Sequence, residues 1–382
     1  MTATFYRSTA LTLMLLAAIH SSAHAGEQDG KFYGLLRARD LTPFGFVRLD
    51  MRPGHAVSIE PGDWAIETEL AYQNTWAVSP QVEHYLNGLE GTGRRKLGRG
   101  DVAAIQALPG ENYLLDLEQA VADVTVHYKV APEWSVYATL GLLSFQGGFL
   151  DGTIEHFHSA LGFETFGRPA IARNDMNVIY VLKGAQVAML GDLETNGGLM
   201  DPVFGIRYAG IRLSPRWRMT LEGATKIPLL GRRTLVSTGR VDYGLQGSLQ
   251  YLGYRNAFHA SIAAVYYAGV RLPAVQDKQV IPTVVLGYEF RLTGRTNINV
   301  QGYISQSVYS HRQTDLEELV GEKYQYSIGF RHRRENLLYT FAMTENLQNV
   351  NNTPDIGFHL GLAYVPFRRE AASSSSAGAL HE

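Results

Sequence analysis

The chain has 382 residues, no cysteine and a formal net charge of −2 at pH 7. The absence of cysteine excludes disulfide bonds and thiol chemistry, and the near balance of charge argues against a nucleic-acid partner. Glycine and tyrosine are frequent, at 39 and 21 residues, and no apolar run long enough for a membrane-spanning helix follows residue 25, which leaves membrane-spanning strands open.

The first 25 residues have the features of a secretory signal peptide. Arg7 is their only charged residue, a mostly apolar run extends from Ala10 to Ile19, and Ala23-His24-Ala25 fits an A-x-A cleavage site. We therefore predict Sec export with cleavage near Ala25. Residues 26–61 are predicted to form an N-terminal segment that either stays in the periplasm or enters the fold as a plug.

Residues 63–76, DWAIETELAYQNTW, alternate between apolar and more polar side chains, as a half-buried strand does. The apolar face, with an aromatic residue near each end, holds Trp64, Ile66, Thr68, Leu70, Tyr72 and Trp76. The other face holds Ala65, Glu67, Glu69, Ala71 and Gln73. About 10 residues of tilted strand cross an apolar band of about 25 Å, so one face is predicted to contact lipid and the other a lumen.

The same alternation recurs along the chain. It is clearest in 134–143, 217–226, 242–251, 257–266, 323–331 and 358–367, and less regular in 280–291, 297–307 and 337–346. The pattern predicts an all-β fold, a transmembrane antiparallel β-barrel formed by residues 62–367. The competing interpretation, a soluble β-sandwich or lipocalin-like barrel with its apolar face inward, is disfavoured by the many charges on the polar faces. Residues 368–382 are predicted to be a disordered polar tail.

The connections between these segments alternate in length. The short ones are 131–133, 213–216, 253–256, 292–295 and 332–335, and the long ones are 77–111, 144–201, 227–241, 269–279, 308–322 and 347–354. Bacterial barrels have an even number of strands and short periplasmic turns, so this alternation predicts 12 strands, with residues 177–190 as a hairpin inside an outer loop. If that hairpin crosses the membrane, the barrel has 14 strands. Residues 112–130 change phase near Gln119–Val121, which predicts one long strand with a bulge that extends beyond the bilayer.

Residues 147–163, GGFLDGTIEHFHSALGF, predict a short amphipathic helix in the second outer loop. Its apolar stripe is Leu150, Ile154, Phe157 and Leu161, and its polar stripe is Asp151, Glu155 and His158. Three ligands form an incomplete metal site and no HExxH motif is present, so no metal and no other cofactor is predicted, with metal binding and catalysis as weaker alternatives. We interpret the helix as a plug or gate that docks by its apolar stripe, with the polar stripe facing water.

Five segments spread along the mature chain carry a resemblance to a known family. They are 34-GLLRARDLTPFGFVRLDMRP-53, 62-GDWAIETELAYQNTW-76, 112-NYLLDLE-118, 147-GGFLDGTIEHFHSALGF-163 with Arg168, and 345-ENLQNVNNTPDIGFHLGL-362. Together they resemble the proteobacterial domain-of-unknown-function family 3187, over most of residues 34–366. The resemblance implies a barrel-like exported protein of no settled function, and it assigns no catalytic residue.

Charged residues on the inward faces of the strands are predicted to line the lumen. They are Glu67, Glu69, Asp116, Glu118, Arg207, Arg218, Glu222, Lys226, Arg291, Arg331 and Arg333. The four acids of the first two strands are expected to lie close together, with Arg331 and Arg333 as their partners. Two interpretations stay open: an ion-pair network that fills a narrow lumen, or a lining that selects a small polar or charged solute.

Two further motifs were weighed for chemistry. His259 and Ser261 share the inward face of one strand, whereas outer-membrane lipid hydrolases place such pairs toward lipid, so no catalytic residue is predicted. Residues 88–100, GLEGTGRRKLGRG, lack the GK[ST] ending of a phosphate-binding loop. As part of an outer loop, they are expected to contact the phosphates of lipopolysaccharide.

These observations predict a passive channel or transporter for a small solute in the bacterial outer membrane, partly plugged by residues 147–163. The alternatives are a lipid-modifying or hydrolytic barrel enzyme and a structural or adhesion barrel, and the absence of a catalytic motif makes an enzyme the less favoured of the classes. The expected partners are outer-membrane lipid, lipopolysaccharide, the barrel assembly machinery during biogenesis and an unidentified small solute.

Overall fold

The computed structural model of the protein describes residues 32–39, 47–54, 61–89, 91, 93–162, 165–183, 185–191, 197–229, 236–268, 279–348 and 353–366. The predicted signal peptide, residues 1–25, and the predicted polar tail, residues 368–382, lie outside the described residues.

Strands dominate the described part of the chain. They are β1 (Trp64–Val78), β2 (Asn112–Lys129), β3 (Trp134–Gln146), β4 (Asn177–Leu182), β5 (Ala185–Leu190), β6 (Gly197–Leu199), β7 (Val203–Arg212), β8 (Trp217–Lys226), β9 (Asp242–Leu252), β10 (Asn256–Tyr267), β11 (Gln279–Arg291), β12 (Thr296–Ser305), β13 (Lys323–Arg334), β14 (Leu337–Gln348) and β15 (Ile356–Tyr364). The helices are α1 (Pro80–Asn87), α2 (Arg99–Gln106), α3 (Asp151–Leu161) and α4 (Glu317–Val320), with a 3-10 turn at Arg168–Ala170. None of the helices described here is long and apolar enough to cross a membrane.

Twelve strands form a closed antiparallel ring. Its order is β1, β2, β3, then β7 to β15 in sequence, and β15 returns to pair with β1 along Ile66–Asn74. The predicted barrel and its count of 12 strands are confirmed. The hairpin β4–β5 pairs with the outer end of β2, at 112–116, instead of entering the ring, which excludes the 14-strand alternative.

The outer surface of the ring is apolar. Trp64 is 55% exposed, Leu140 50% and Leu245 72%, although large apolar side chains in water are normally covered. Near the short turns, aromatic pairs lie across neighbouring strands, with ring centroids 4.5 Å apart for Trp64–Tyr128 and 4.8 Å apart for Trp134–Tyr208. An exposed apolar belt with an aromatic girdle is the surface of a transmembrane barrel, and it excludes the soluble sandwich or lipocalin-like barrel.

The two ends of the barrel differ in the length of their connections, as the sequence predicted. Turns of a few residues join β2–β3, β7–β8, β9–β10, β11–β12 and β13–β14 at one end, where β1 begins and β15 ends. The long connections all lie at the opposite end, called here the outer end. The predicted helix in the second long loop is also confirmed, as α3.

At the outer end, β1 and β2 continue past the ring and pair without interruption from Trp64–Tyr128 to Val78–Leu114. The bulge predicted near Gln119–Val121 is therefore wrong. Along β2, the face that carries the apolar side chains switches from the outer to the inner one, because the environment of the strand changes from the membrane belt to the covered outer end. Lower down, Val124 on the outer face is 43% exposed on the apolar belt, whereas higher up the inner face, including Leu115 and Leu117, is buried in a core over the barrel mouth.

The outer face of the same extension is covered by loop structure. Val82 and Leu86 of α1 and Ile105 of α2 pack there with Leu114 of β2. Trp76 belongs to this second core and is buried, with its indole N–H donating to the Phe166 carbonyl at 3.1 Å. Its predicted lipid exposure is wrong, because sequence alternation gives the face of a residue but not what covers that face.

Candidate functional site: the lumen and the segment inside it

The described residues before β1, 32–39 and 47–54, contact inward-facing side chains of the barrel wall; together they are called the inner segment. Near the short turns, the amides of Tyr33 and Gly34 donate to the Glu289 carboxylate at 2.7 and 3.0 Å. The Arg331 guanidinium donates to the carbonyls of Tyr33, Gly34 and Leu35. Since this stretch has no strand partner, wall side chains satisfy its backbone polar groups.

The second stretch of the inner segment lies against β8, β9 and β10. The Leu49 amide donates to Asp242 at 2.9 Å, Lys226 donates to the Val47 carbonyl at 2.6 Å, and Gln246 donates to the Arg52 carbonyl at 3.0 Å. Leu49 and Met51 pack with apolar wall residues in a small core: Tyr137, Ala224, Ala263 and Val265. The lumen is therefore occupied by a separate piece of chain, held mostly by polar contacts.

Three arginines of the inner segment pair with three carboxylates of the wall. Arg37 Nε lies 3.3 Å from Glu67, and Arg39 contacts both oxygens of Asp123, at 3.0 and 3.1 Å. Arg52 pairs with Glu69 and lies 3.5 Å from Asp123. Glu67, Glu69 and Asp123 are called here the wall acids.

The partners of the wall acids differ from those predicted. Glu69 and Asp123 face each other across β1 and β2, and Glu67 also contacts the buried His127 at 3.2 Å. Arg331 instead binds the backbone of the inner segment, and Arg333 donates to the Glu335 carbonyl near the short turns. Arg37, Arg39 and Arg52 were not among the predicted lumen residues, although the clustered arginines of residues 34–53 were a signal for them.

Two of the remaining predicted lumen cations form pairs across neighbouring strands, in which backbone pairing brings the charges together. Arg207 Nε lies 2.6 Å from Glu222, which also accepts the Tyr137 hydroxyl at 2.8 Å. Lys226 lies 2.8 Å from Asp242 near the outer end.

Arg218 and Arg291 lie at the short-turn end of the lumen, where both are only partly buried. Arg218 faces Arg212 across β7 and β8. The Arg291 guanidinium lies 5.3 Å from the centre of the Tyr254 ring.

Asp116 and Glu118 are not in the lumen. They pair with Trp76 and Asn74 on the outer face of the strand extension. Asp116 accepts the Asn177 amide at 2.9 Å, and Glu118 accepts the amides of the chain leading into α3, at Phe149 and Leu150. The pairing of β1 and β2 has no bulge, so side chains keep alternating between the two faces along β2. Asp116 and Glu118 therefore lie on the face opposite to that of the wall acids.

Helix α3 lies on this outer face, and its two stripes are not placed as predicted. Asp151 is buried and accepts the amides of Asn74 and Asn174, at 3.1 and 2.8 Å, and pairs with Arg168 at 3.4 Å. Phe157, from the predicted docking stripe, is instead 53% exposed.

The other two residues of the polar stripe are also covered. Glu155 is buried and pairs with Arg94 and Arg173, both at 2.6 Å, and His158 is partly buried. The acids of the stripe face the wall extension and its loops because Arg168 and Arg173 of the same loop and Arg94 of the first long loop neutralise them there. These contacts place α3 beside the wall extension, away from the inner segment.

A core of buried apolar residues covers the outer end of the lumen; it is called here the outer cap. It joins the inner face of the strand extension and β4 to loops from the other side of the ring, including Val236 and Leu319. Glu111 ties the two sides together: it accepts the Lys183 amide at 2.7 Å, the Thr314 hydroxyl at 2.9 Å and the Asp315 amide at 2.5 Å.

A cavity of about 30 Å³ remains between the inner segment and the wall, lined by Arg37, Arg52, Asp123, Tyr137 and Glu222 among others. That volume holds one or two water molecules. Arg37 Nη1 is buried there without a hydrogen-bond partner. Among the described residues, this cavity is therefore a small polar space between the inner segment and the wall.

The histidine and serine on the inward face of β10 contact different groups. His259 contacts Glu289 at 3.1 Å and Ser261 contacts Ser248 at 3.0 Å, so the two residues have separate partners. No group of three metal-binding side chains occurs among the described residues.

These features define a twelve-stranded transmembrane β-barrel whose lumen holds an N-terminal segment of its own chain. Residues 97–365 match the family described as "Protein of unknown function (DUF3187)". The chain belongs to this family, as its sequence resemblance predicted.

Two solved structures that the chain is similar to have little sequence in common with it. An outer membrane channel from Pseudomonas putida F1 is 10% identical with a TM-score of 0.50, over 82% of this chain and 99% of that chain. The P. putida toluene transporter TodX is 9% identical with a TM-score of 0.38, over 82% and 94% of the two chains, a score too low to support an argument. The first likeness shows the fold alone. No curated protein matches the chain.

Proposed function

We propose that this protein is a channel of the bacterial outer membrane, which passes a small polar solute when the inner segment moves aside. The observation that carries the proposal is the filling of a polar lumen by a separate segment that is bound through ion pairs and hydrogen bonds. Water can replace each of these polar contacts, so the segment can leave without unfolding the ring. The similar structure from P. putida F1 is that of an outer membrane channel, which agrees with this proposal.

The orientation follows from the loops. We place the short turns in the periplasm and the outer cap at the cell surface, as in other bacterial barrels. The apolar belt then contacts outer-membrane lipid, and the arginines and lysine at 94–96 lie on the side where lipopolysaccharide phosphates are found. Export by a signal peptide cleaved near Ala25 and insertion by the barrel assembly machinery belong to the same proposal.

The proposed gate differs from the one that the sequence indicated. The inner segment lies in the solute path, and the outer cap closes the outer end, whereas α3 lies on the outer face of the wall extension. We therefore assign closure of the channel to the inner segment and the outer cap.

A variant that loosens both barriers tests the channel. Arg37→Ser, Arg39→Ser and Arg52→Ser remove the ion pairs of the inner segment, and Glu111→Gln weakens the tie across the outer cap; together they form the open variant. In planar bilayers, we expect the open variant to conduct at least about tenfold more than the wild type, because a 12-stranded lumen without its filling admits water and ions.

The matched control changes exposed residues to the same net charge: Arg99→Ser, Arg255→Ser, Arg334→Ser and Glu133→Gln. Its conductance should equal that of the wild type. An open variant that is folded but silent would contradict the channel and favour a structural barrel.

A further inference from the structure

The inner segment and the wall around it carry opposite charge. The described residues of the inner segment include Arg37, Arg39, Arg48 and Arg52 but only one acid, Asp50. The wall strands beside the inner segment carry the three wall acids and Glu222, against two basic residues, Arg207 and Lys129. Nearer the short turns, Arg331 and Glu289 balance each other, as Lys226 and Asp242 do nearer the outer end. Once the inner segment leaves, the narrow middle of the lumen is acidic.

We propose that the solute of this channel is a small organic cation with amino or guanidino groups, and that it takes the positions of the inner-segment arginines on the wall acids. This inference rests on the proposed channel function and names its substrate class. It differs from the family's description, which assigns no solute.

The arginines of the inner segment show which chemical group the wall acids bind. Arg39 binds Asp123 with two nitrogen atoms, the geometry in which a guanidinium matches a carboxylate best. Arg52 bridges Asp123 and Glu69, and Arg37 reaches Glu67. Three guanidinium groups from the chain itself therefore already occupy the proposed solute positions.

The small cavity supplies an independent observation. It is lined by Arg37 and Asp123, and Arg37 Nη1 is buried without a hydrogen-bond partner. A polar void of this size can hold water beside Asp123 and Glu222. An acidic, hydrated constriction attracts cations and repels anions of the same size.

Reversal potentials measure this selectivity. With a potassium chloride gradient across the open variant, we expect a potassium-to-chloride permeability ratio of about 3 or more, because ring-like acidic linings favour cations. Adding Glu67→Gln, Glu69→Gln and Asp123→Asn should bring the ratio to about 1. Asp123→Asn alone serves if the combined variant does not fold. A ratio at or below 1 in the open variant would overturn the inference.

A second measurement does not depend on conductance. In the full-length Arg37→Ser, Arg39→Ser, Arg52→Ser variant, guanidinium chloride at low millimolar concentration should raise the thermal midpoint by about 2 °C or more over equal sodium chloride. The wild type, whose wall acids are already occupied, should show no such difference. No guanidinium-specific shift in the variant would also overturn the inference.

The two measurements separate the two proposals. Guanidinium binding without conductance would leave the cation site standing and contradict the channel. Conductance without cation preference would leave the channel standing and contradict the solute class.

Discussion

Single residues of the wall determine how closely the inner segment can approach it. A Cβ atom at Gly287 would lie 2.2 Å from Leu35 Cδ2, and one at Gly244 would lie 2.6 Å from Met51 Sδ. Both glycines sit on inward faces of strands, where a side chain would normally project into the lumen. They make room for the two apolar anchors of the inner segment, Leu35 and Met51.

We expect Gly287→Ala to displace Leu35 and to destabilise the seating of the inner segment by about 1–3 kcal/mol, the usual cost of overpacking. Faster amide hydrogen exchange at Gly34 and Leu36 would show this. Gly302→Ala on the neighbouring strand β12 is the control, because nothing lies within 4 Å of its added Cβ atom. Equal exchange in the two variants would contradict the close contact.

Asp101 lies on α2, outside the membrane-spanning strands, and its ion pair makes the stability of α2 dependent on pH. The Arg95 guanidinium, with help from the Gly98 amide and the Tyr85 hydroxyl, holds the pKa of Asp101 below its ordinary value despite burial. A carboxylate with a lowered folded-state pKa stabilises the fold above its unfolded pKa of about 3.9, and this stabilisation is lost as the pH falls further.

The protection factors for amide exchange in α2, which correct for the pH dependence of the intrinsic rate, should therefore be high at pH 6 and should fall below about pH 4. Asp101→Asn should exchange faster at pH 6 and lose most of the acid dependence, whereas Glu133→Gln, at an exposed position near the short turns, should match the wild type. Unchanged acid dependence in Asp101→Asn would assign the effect to another group.

At the scale of elements, the outer cap is an assembly of parts that come from opposite sides of the ring. The hairpin β4–β5 extends the sheet from β2, and the loop between β12 and β13 meets it through Tyr180 and Tyr309, whose hydroxyls are 3.5 Å apart. Burial raises the pKa of Tyr309, so both phenols stay neutral in this contact. The polar ties across the outer cap include three hydrogen bonds to the Glu111 carboxylate and an exposed ion pair between Lys183 and Asp315.

Glu111→Gln should loosen the outer cap while leaving the ring intact. Hydrogen bonds to a charged acceptor contribute about 1.5–3 kcal/mol each, so the weaker amide acceptor should cost about 2 kcal/mol in total. Faster proteolysis at residues 306–322, with unchanged heat modifiability of the barrel, would demonstrate it. Glu317→Gln, at an exposed position in the same loop, is the control; a barrel that unfolds together with the cap would contradict their independence.

At the scale of the whole molecule, the ring and its contents are separable structures. Backbone pairing closes the ring on itself, so no strand of the barrel depends on the inner segment for a partner. The inner segment contributes side-chain contacts to many strands but pairs with none among the described residues. In such a molecule, the inner segment can leave the lumen while the barrel keeps its structure.

A reversible crosslink tests this separation, because the natural chain has no cysteine. The Cβ position of Gly54 lies 3.5 Å from Ser248 Oγ, the atom that a cysteine sulfur would replace, so a small side-chain adjustment closes a disulfide between the two positions. In the open variant, Gly54→Cys with Ser248→Cys should abolish conductance under oxidising conditions and restore it on reduction. Gly54→Cys alone should show no redox dependence, and conductance in the fully crosslinked protein would show that the inner segment is not the barrier.

The amino-acid sequence by itself determined the barrel. Period-two alternation identifies a strand and its two faces from local residues alone, and the alternation of loop lengths counts the strands, so the 12-stranded ring and the helix at Asp151–Leu161 were both predictable. The prediction for Asp116 and Glu118 was wrong for a specific reason. The apolar pattern of residues 112–130 shifts from one strand face to the other, and this shift looks the same in the sequence whether the backbone has a bulge or the strand leaves the lipid belt.

Only the tertiary structure decided what covers each face. Arg37 and Arg39 meet carboxylates on β1 and β2, and the acids of α3 turn inward toward Arg168 and Arg94. Each of these pairings joins segments whose approach depends on ring closure and on the path of long loops. No local pattern encodes such long-range contacts, and for that reason the content of the lumen, unlike its wall, had to be seen in three dimensions.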